Sequence, residues 1–113
     1  MSDLAQRRCQ PCEGGVAPMD RATAEQHCGE LSSNWSISDD AKAIRGEFTF
    51  KNYYHTTAFV NAVAWIAHTD DHHPDIAFGY KNCTIHYSTH SIGGLSENDF
   101  ICAAKIDRLV DAS

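Results

Sequence analysis

An α+β fold is predicted, in the order α-β-β-α-β-β-α, with a four-stranded antiparallel sheet and three helices packed on one of its faces. Three observations lead there. The segments "KAIRGEFTFK" and "KNCTIHYSTH" alternate apolar and polar residues with the period of two that a half-buried strand needs. The segments "NYYHTTAFVNAVAWIAH" and "CAAKIDRLV" instead repeat apolar residues at helical spacing. Strand-like segments come in pairs between helices, and helices gathered on one side of an antiparallel sheet give the two packed layers a core requires. With 113 residues, the chain can bury such a core without metal or disulfide staples.

Residues 1–18 are polar and broken by Pro11, Gly14, Gly15 and Pro18, and read as a flexible tail; residues 19–113 form a single domain. Asp20 is the expected N-cap of a first helix, with Ala24, Cys28 and Leu31 at helical spacing. "NWSIS" is a short strand with Trp35 and Ile37 on one face, and Asp39-Asp40 turns the chain into the next. There Ile44, Gly46, Phe48 and Phe50 point inward, and Arg45, Glu47, Thr49 and Lys51 outward. The second helix buries Phe59, Val63, Ile66 and Ala67 and ends near Thr69. Asp75 to Tyr80 is extended. In the last strand Cys83, Ile85, Tyr87 and Thr89 share one face, and Thr84, His86, Ser88 and His90 the other. "SIGGL" is a loop. Ser96 and Asp99 form a capping box that opens a final helix, whose buried stripe is Cys102, Ala103, Ile106, Leu109 and Val110.

Composition narrows the function. Nine basic against 15 acidic residues give a net charge of −6, which disfavours binding that depends on neutralising phosphates. No apolar run approaches the ~20 residues of a membrane span, and the arginines near the start precede no apolar segment, so neither an anchor nor a secretory signal is expected. Five cysteines, an odd number, suit reduced thiols in the cytoplasm.

"HTDDHHPDI", residues 68–76, sets two histidines side by side before a proline. Neighbouring side chains diverge on a helix and on a strand alike, so the pair meets in one cavity only if the chain turns there. Pro74 supplies the turn by pushing His73 out of helical conformation. His90, at the end of the last strand, can approach the same place. Imidazole gives and takes protons near neutral pH, which makes these rings candidates for acid–base work. His27, His55 and His86 read as solvent-facing side chains. A metal site is the competing arrangement: His68 and His72 are i, i+4, with Asp70, Asp71 and His73 as further donors. HExxH is absent and the helix breaks at the second ligand, so no metal is expected. "CQPC" (Cys9, Cys12) lacks the second matched pair of a structural zinc site and lies in the tail.

The succession His68, His72-His73-Pro74, Tyr80, His90, Asp99 resembles, in every spacing, the signature of the pterin-4a-carbinolamine dehydratases. The similarity runs from about Leu31 to Leu109 and includes "IRGEFTFKNY", "NAVAWIA", "STH" and "GGLSENDF". The first 30 or so residues resemble those of bacterial members with an N-terminal CxxC and Gly-Gly. One position departs: many members carry Glu where this chain has His68.

The resemblance implies a dehydratase that takes water from a 4a-hydroxytetrahydropterin, the product of aromatic amino-acid hydroxylases, as a step of tetrahydrobiopterin recycling. It implies the same sheet-and-helix fold, assembled as a homodimer or homotetramer through an edge strand, with no cofactor. Catalysis falls to His72 and His90 as proton donors and His73 as pterin binder and acceptor of the N5 proton. His68, Asp71, Pro74, Ser88, Thr89 and Ser91 would contact substrate, while Tyr80 and Asp99 orient. Two alternatives stand beside it: a protein-binding role, since some animal members are dimerisation cofactors of a homeodomain transcription factor, and a His-rich metal-binding protein.

Overall fold

The computed structural model describes residues 4–10 and 17–111. Its elements follow the predicted order: α1 (Arg21–Cys28), β1 (Trp35–Ile37), β2 (Ile44–Thr49), α2 (Tyr53–Asp70), β3 (Asp75–Phe78), β4 (Asn82–Tyr87) and α3 (Glu97–Asp111). The strands form one antiparallel sheet in the order β1-β2-β4-β3. Its centre is the β2–β4 pair, in which Ile44 faces Tyr87, Gly46 faces Ile85 and Phe48 faces Cys83. Directly paired residues share a face, so this register fuses the two alternations into one apolar surface. Trp35, Ile44, Phe48, Cys83, Ile85 and Tyr87 are buried on it, while Arg45, Glu47 and His86 stand exposed on the other side.

The helices cover the apolar side. Phe59, Val63 and Ala67 come from α2, and Phe100, Ala103 and Ile106 from α3. Asp20 caps α1 by accepting from Thr23 N–H (2.8 Å), and Asn52 caps α2 through His55 N–H (2.9 Å). Asp107 of α3 accepts from Trp35 Nε1 (2.9 Å) and from the backbone and hydroxyl of Ser32 (2.8 and 2.7 Å), which ties the edge of the sheet to the helix layer. Opposite Trp35 on the inner face lies Gly46. A methyl there would stand 2.9 Å from both the Trp35 and Phe48 rings, so close packing of the indole requires glycine.

Two segments differ from expectation. Residues 4–10, within the stretch predicted to be a flexible tail, lie against α3. Leu4, in a 3-10 turn over Leu4–Gln6, is 1% exposed, and Arg7 pairs with Glu97 at 2.8 Å. A polar, proline-broken composition hides this attachment because it needs a single buried leucine, with polar contacts from Arg7, Cys9 and Gln10 supplying the rest. Cys12, Pro11 and the Gly14-Gly15 pair fall outside the described residues. The last strand also stops at Tyr87 rather than running on to His90. Thr89 N–H bonds Gly94 O (2.8 Å), and His90–Ile92 forms a 3-10 turn inside the predicted loop. His27, read as solvent-facing, is half-buried with its ring 5.3 Å from that of Phe100. No helix among the described residues is long and apolar enough to cross a membrane.

Candidate active site

The C-terminus of α2 sets the site's geometry. Just past the last helical residue, Asp71 takes the left-handed conformation (φ 51°). Its N–H reaches His68 O (3.4 Å), and His72 N–H reaches Ala67 O (3.1 Å). This is a Schellman ending made without glycine, a place where aspartate is among the better-tolerated side chains. The reversal folds His72 back toward the core and leaves His73 outside, before Pro74 starts the extended run into β3.

His72 goes to Asp99. Its Nε2 lies 2.6 Å from Asp99 Oδ1, with side chains 12% and 0% exposed. Its ring stacks on Tyr87, centroids 5.4 Å apart and planes 7° from parallel. Asp99 sits in the first turn of α3, where the helix dipole favours an anion. Its other oxygen accepts from Thr89 Oγ1 (2.9 Å) and from Ser96 N–H (3.0 Å). The predicted capping box is thus made in one direction only. The Ser96 hydroxyl turns to Thr89 (2.7 Å), and Asp99 N–H meets the Ser96 carbonyl instead (3.2 Å). Thr89 has one hydroxyl hydrogen and spends it on the carboxylate, so Ser96 donates in their contact. Burial pulls His72 toward its neutral form. The hydrogen bond to Asp99 and that carboxylate's charge outweigh it, and the pKa stands above the ordinary histidine value.

In front of His72 lies a cleft of about 430 Å³. Asp70, Asp71, His72 and His73 line it from the end of α2; Ser88, Thr89, His90 and Ser91 from the turn after β4; Asn98 from α3. Cys9 and Gln10 complete the wall. The three histidines expected to work together therefore border one cavity: His72 largely buried, His73 and His90 exposed. Asp71, Ser88, Thr89 and Ser91 border it too, with Asp99 behind His72. His68 is not among the lining residues; it is exposed on α2, its ring 5.2 Å from that of Trp65. Pro74 turns the chain without lining the cleft. Tyr80 is 63% exposed in the β3–β4 turn, stacked on Tyr53 at 6.3 Å.

Asn98 and Gln10 escaped the sequence reading, and Asp70 and Cys9 entered it only as candidate metal donors. Asp70 holds Lys105 Nζ at 2.6 Å and accepts from Cys9 N–H at 3.1 Å. Burial favours the neutral carboxyl there, but these partners prevail and its pKa is lowered. Asn98 clasps the Gln10 backbone in both directions, accepting from its N–H (3.0 Å) and donating to its carbonyl (2.6 Å). Asn98 adjoins predicted Asp99 and could have been suspected; nothing local marks Gln10. Among the described residues no group of three or more His, Cys, Asp or Glu is gathered to hold a metal ion.

Fold and cleft define a class of protein: a small α+β domain that brings imidazoles and carboxylates together where helix ends meet one end of the sheet. Within that class, the chain belongs to the pterin 4 alpha carbinolamine dehydratase family, whose profile matches residues 17–109. Relatives carrying the name pterin-4-alpha-carbinolamine dehydratase include one from Nitrosomonas eutropha, 56% identical over 96% of this chain and 94% of its own. Another, from Legionella pneumophila, is 46% identical over 96% of both. The fold is similar to that of a Brucella melitensis protein described as a transcriptional coactivator/pterin dehydratase (TM-score 0.77, 26% identity, 81% of this chain and 97% of that one). It is also similar to a pterin dehydratase-like protein described as a RuBisCO assembly factor in the alpha-carboxysome (TM-score 0.61, 26% identity, 71% and 93%).

Proposed function

We propose that the chain is a hydro-lyase that removes water from a 4a-hydroxytetrahydropterin to give the quinonoid dihydropterin. The observation that carries this is His72, anchored by buried Asp99, bordering the same cleft as His73 and His90. Its volume falls within the range of about 300–1,000 Å³ usual for small-molecule sites.

The chemistry asks for proton transfer alone, since loss of water changes no oxidation state. The N5 lone pair expels the C4a hydroxyl, which leaves as water once protonated, and the N5 proton departs to a base. His72 donates Nε2–H to Asp99, which leaves Nδ1 for substrate, and a raised pKa keeps that nitrogen protonated more of the time. His72 and His90 act as donors to the hydroxyl, and His73 binds the pterin and takes the N5 proton. Ser88, Thr89 and Ser91 border the pterin edge, with Asp71 across from them. The setting proposed with this activity is tetrahydropterin recycling beside an aromatic amino-acid hydroxylase, in the cytoplasm, by a homo-oligomer.

Stopped-flow dehydration of synthetic 4a-hydroxytetrahydropterin tests it. Single His72→Ala, His73→Ala and His90→Ala variants should lose on the order of 10²–10⁴-fold in rate with native circular dichroism. His86→Ala, on the uncovered face of the sheet, is the control. Full turnover in all three would defeat the assignment. A second reading, a protein-binding role on α2, is favoured by Trp65 and Tyr54 (65% and 80% exposed). Trp65→Ala would then lose a partner and keep dehydration.

A further inference from the structure

Two thiols meet beneath the cleft wall. Cys9 Sγ lies 3.5 Å from Cys102 Sγ and 3.6 Å from the Asn98 carbonyl, and both cysteines are free. Cys9 is half-buried and borders the cleft, while Cys102 is fully buried on α3, three residues after Asp99. The approach is held from both flanks: Cys9 N–H bonds Asp70, and the next residue, Gln10, is clasped by Asn98. Among the described residues Cys28 and Cys83 have no such neighbour: Cys28 donates to the Trp35 carbonyl, and Cys83 is packed on the sheet.

We propose that Cys9 and Cys102 are a redox-active pair that closes to a disulfide on exposure to hydroperoxide and so locks the N-terminal segment onto α3 at the cleft. Sulfurs in contact need to approach by only about 1.5 Å to reach bonding distance, and Cys9, outside any helix, can supply the movement. The Cys9 thiol is oxidised first, since it borders the cleft: R–S–H and H₂O₂ give R–S–OH and water. Cys102 then attacks the Cys9 sulfur; the S–S bond forms, the S–O bond breaks, and hydroxide leaves as water with the Cys102 proton. The pair gives up two electrons to the peroxide, and dithiothreitol reverses the step. Access sets the order, since Cys9 borders the cleft and Cys102 is buried. Cys102 is made more acidic by the hydrogen bond it shares with Cys9, and further by the charge of His72 and the Tyr87 hydroxyl, against its burial, which suits it to the second, attacking step. Cys9 is pushed the other way, by the same contact and by burial, so its oxidation rests on access and not on acidity.

This inference does not depend on the dehydratase reading, and its test reads sulfur rather than turnover. The full chain is treated with hydrogen peroxide, alkylated under denaturing conditions, digested without reductant and weighed. A peptide linking Cys9 to Cys102 is expected. It should come with a rise in Tm on the order of 10 °C, since the bond closes a loop of 93 residues, and dithiothreitol should undo both. Cys9→Ser should abolish link and rise; Cys12→Ser should keep them. Alkylatable Cys102 after oxidation, a Cys9–Cys12 link in its place, or a Tm rise that survives in Cys9→Ser would each overturn the proposal.

Discussion

Replacing Asp99 with Asn tests whether a buried carboxylate sets the protonation of His72. The carboxylate offers two oxygens, one to His72 and the other to Thr89 and Ser96. Asparagine offers one, and its NH₂ must face either the histidine ring or the Ser96 N–H. Even where a neutral Nε2 accepts from that NH₂, losing the charge-assisted bond costs about 1.5–3 kcal/mol, a fall in Tm of roughly 6–12 °C for a chain of this size. The pH dependence gives the sharper readout. His72 has a folded pKa above its unfolded value of about 6.5, so the stability it contributes is complete below that pH and is lost as pH rises through the raised value. Wild type should therefore lose stability upward from about pH 6.5 along a slope that Asp99→Asn lacks. Thermal melts of both proteins across that window measure it, and a pH–rate profile should show the alkaline limb of the variant displaced to lower pH. A variant that keeps the wild-type slope, or melts within about 2 °C of wild type, would show that Asp99 does not govern this imidazole.

Gly46→Ala should cost about 1–3 kcal/mol, because its methyl must displace the Trp35 or Phe48 ring; dehydration by the folded fraction should be unchanged, and equal stability would mean the sheet adjusts freely. Asp71→Gly relieves a side chain from the left-handed region and should raise stability by up to about 1 kcal/mol in denaturant titration. The same change should weaken kcat/KM if the carboxylate borders the pterin; lowered stability would contradict the helix-end geometry. Tyr80→Ala should leave kcat/KM within about two-fold of wild type, since the ring stands outside the cleft, stacked on Tyr53, and the backbone carbonyl that holds the Thr56 hydroxyl at 2.9 Å is kept.

Local periodicity carried the elements, because strands and helices bury one side each and write that side into sequence at intervals of two or about 3.6. β2 is the clear case: of its expected inward set, Ile44, Gly46 and Phe48 are buried, and Phe50, just past the strand, is half-buried. The pairing of β2 with β4 was not legible, since periodicity assigns a face and names no partner. Nor was the attachment of residues 4–10. Leu4 and Asn98 are far apart in sequence, and no repeat in the tail signals that α3 will receive it. Such contacts depend on the finished surface of the domain.

The site divides along the same line. A proline after two histidines announces a break, and the break was enough to place both rings near one cavity. The direction in which each ring points was hidden in the φ angle of Asp71, a residue whose type permits the left-handed turn without demanding it. Once that turn is made, adjacency becomes an asset. Successive side chains diverge, so the ring that meets the buried carboxylate must have a neighbour that faces out. His72 becomes the anchored imidazole with raised proton affinity, and His73 stays exposed on the border of the same cleft. Two identical side chains in sequence are made chemically unequal by one backbone angle and one carboxylate, which is the difference the proposed division into acid and base requires.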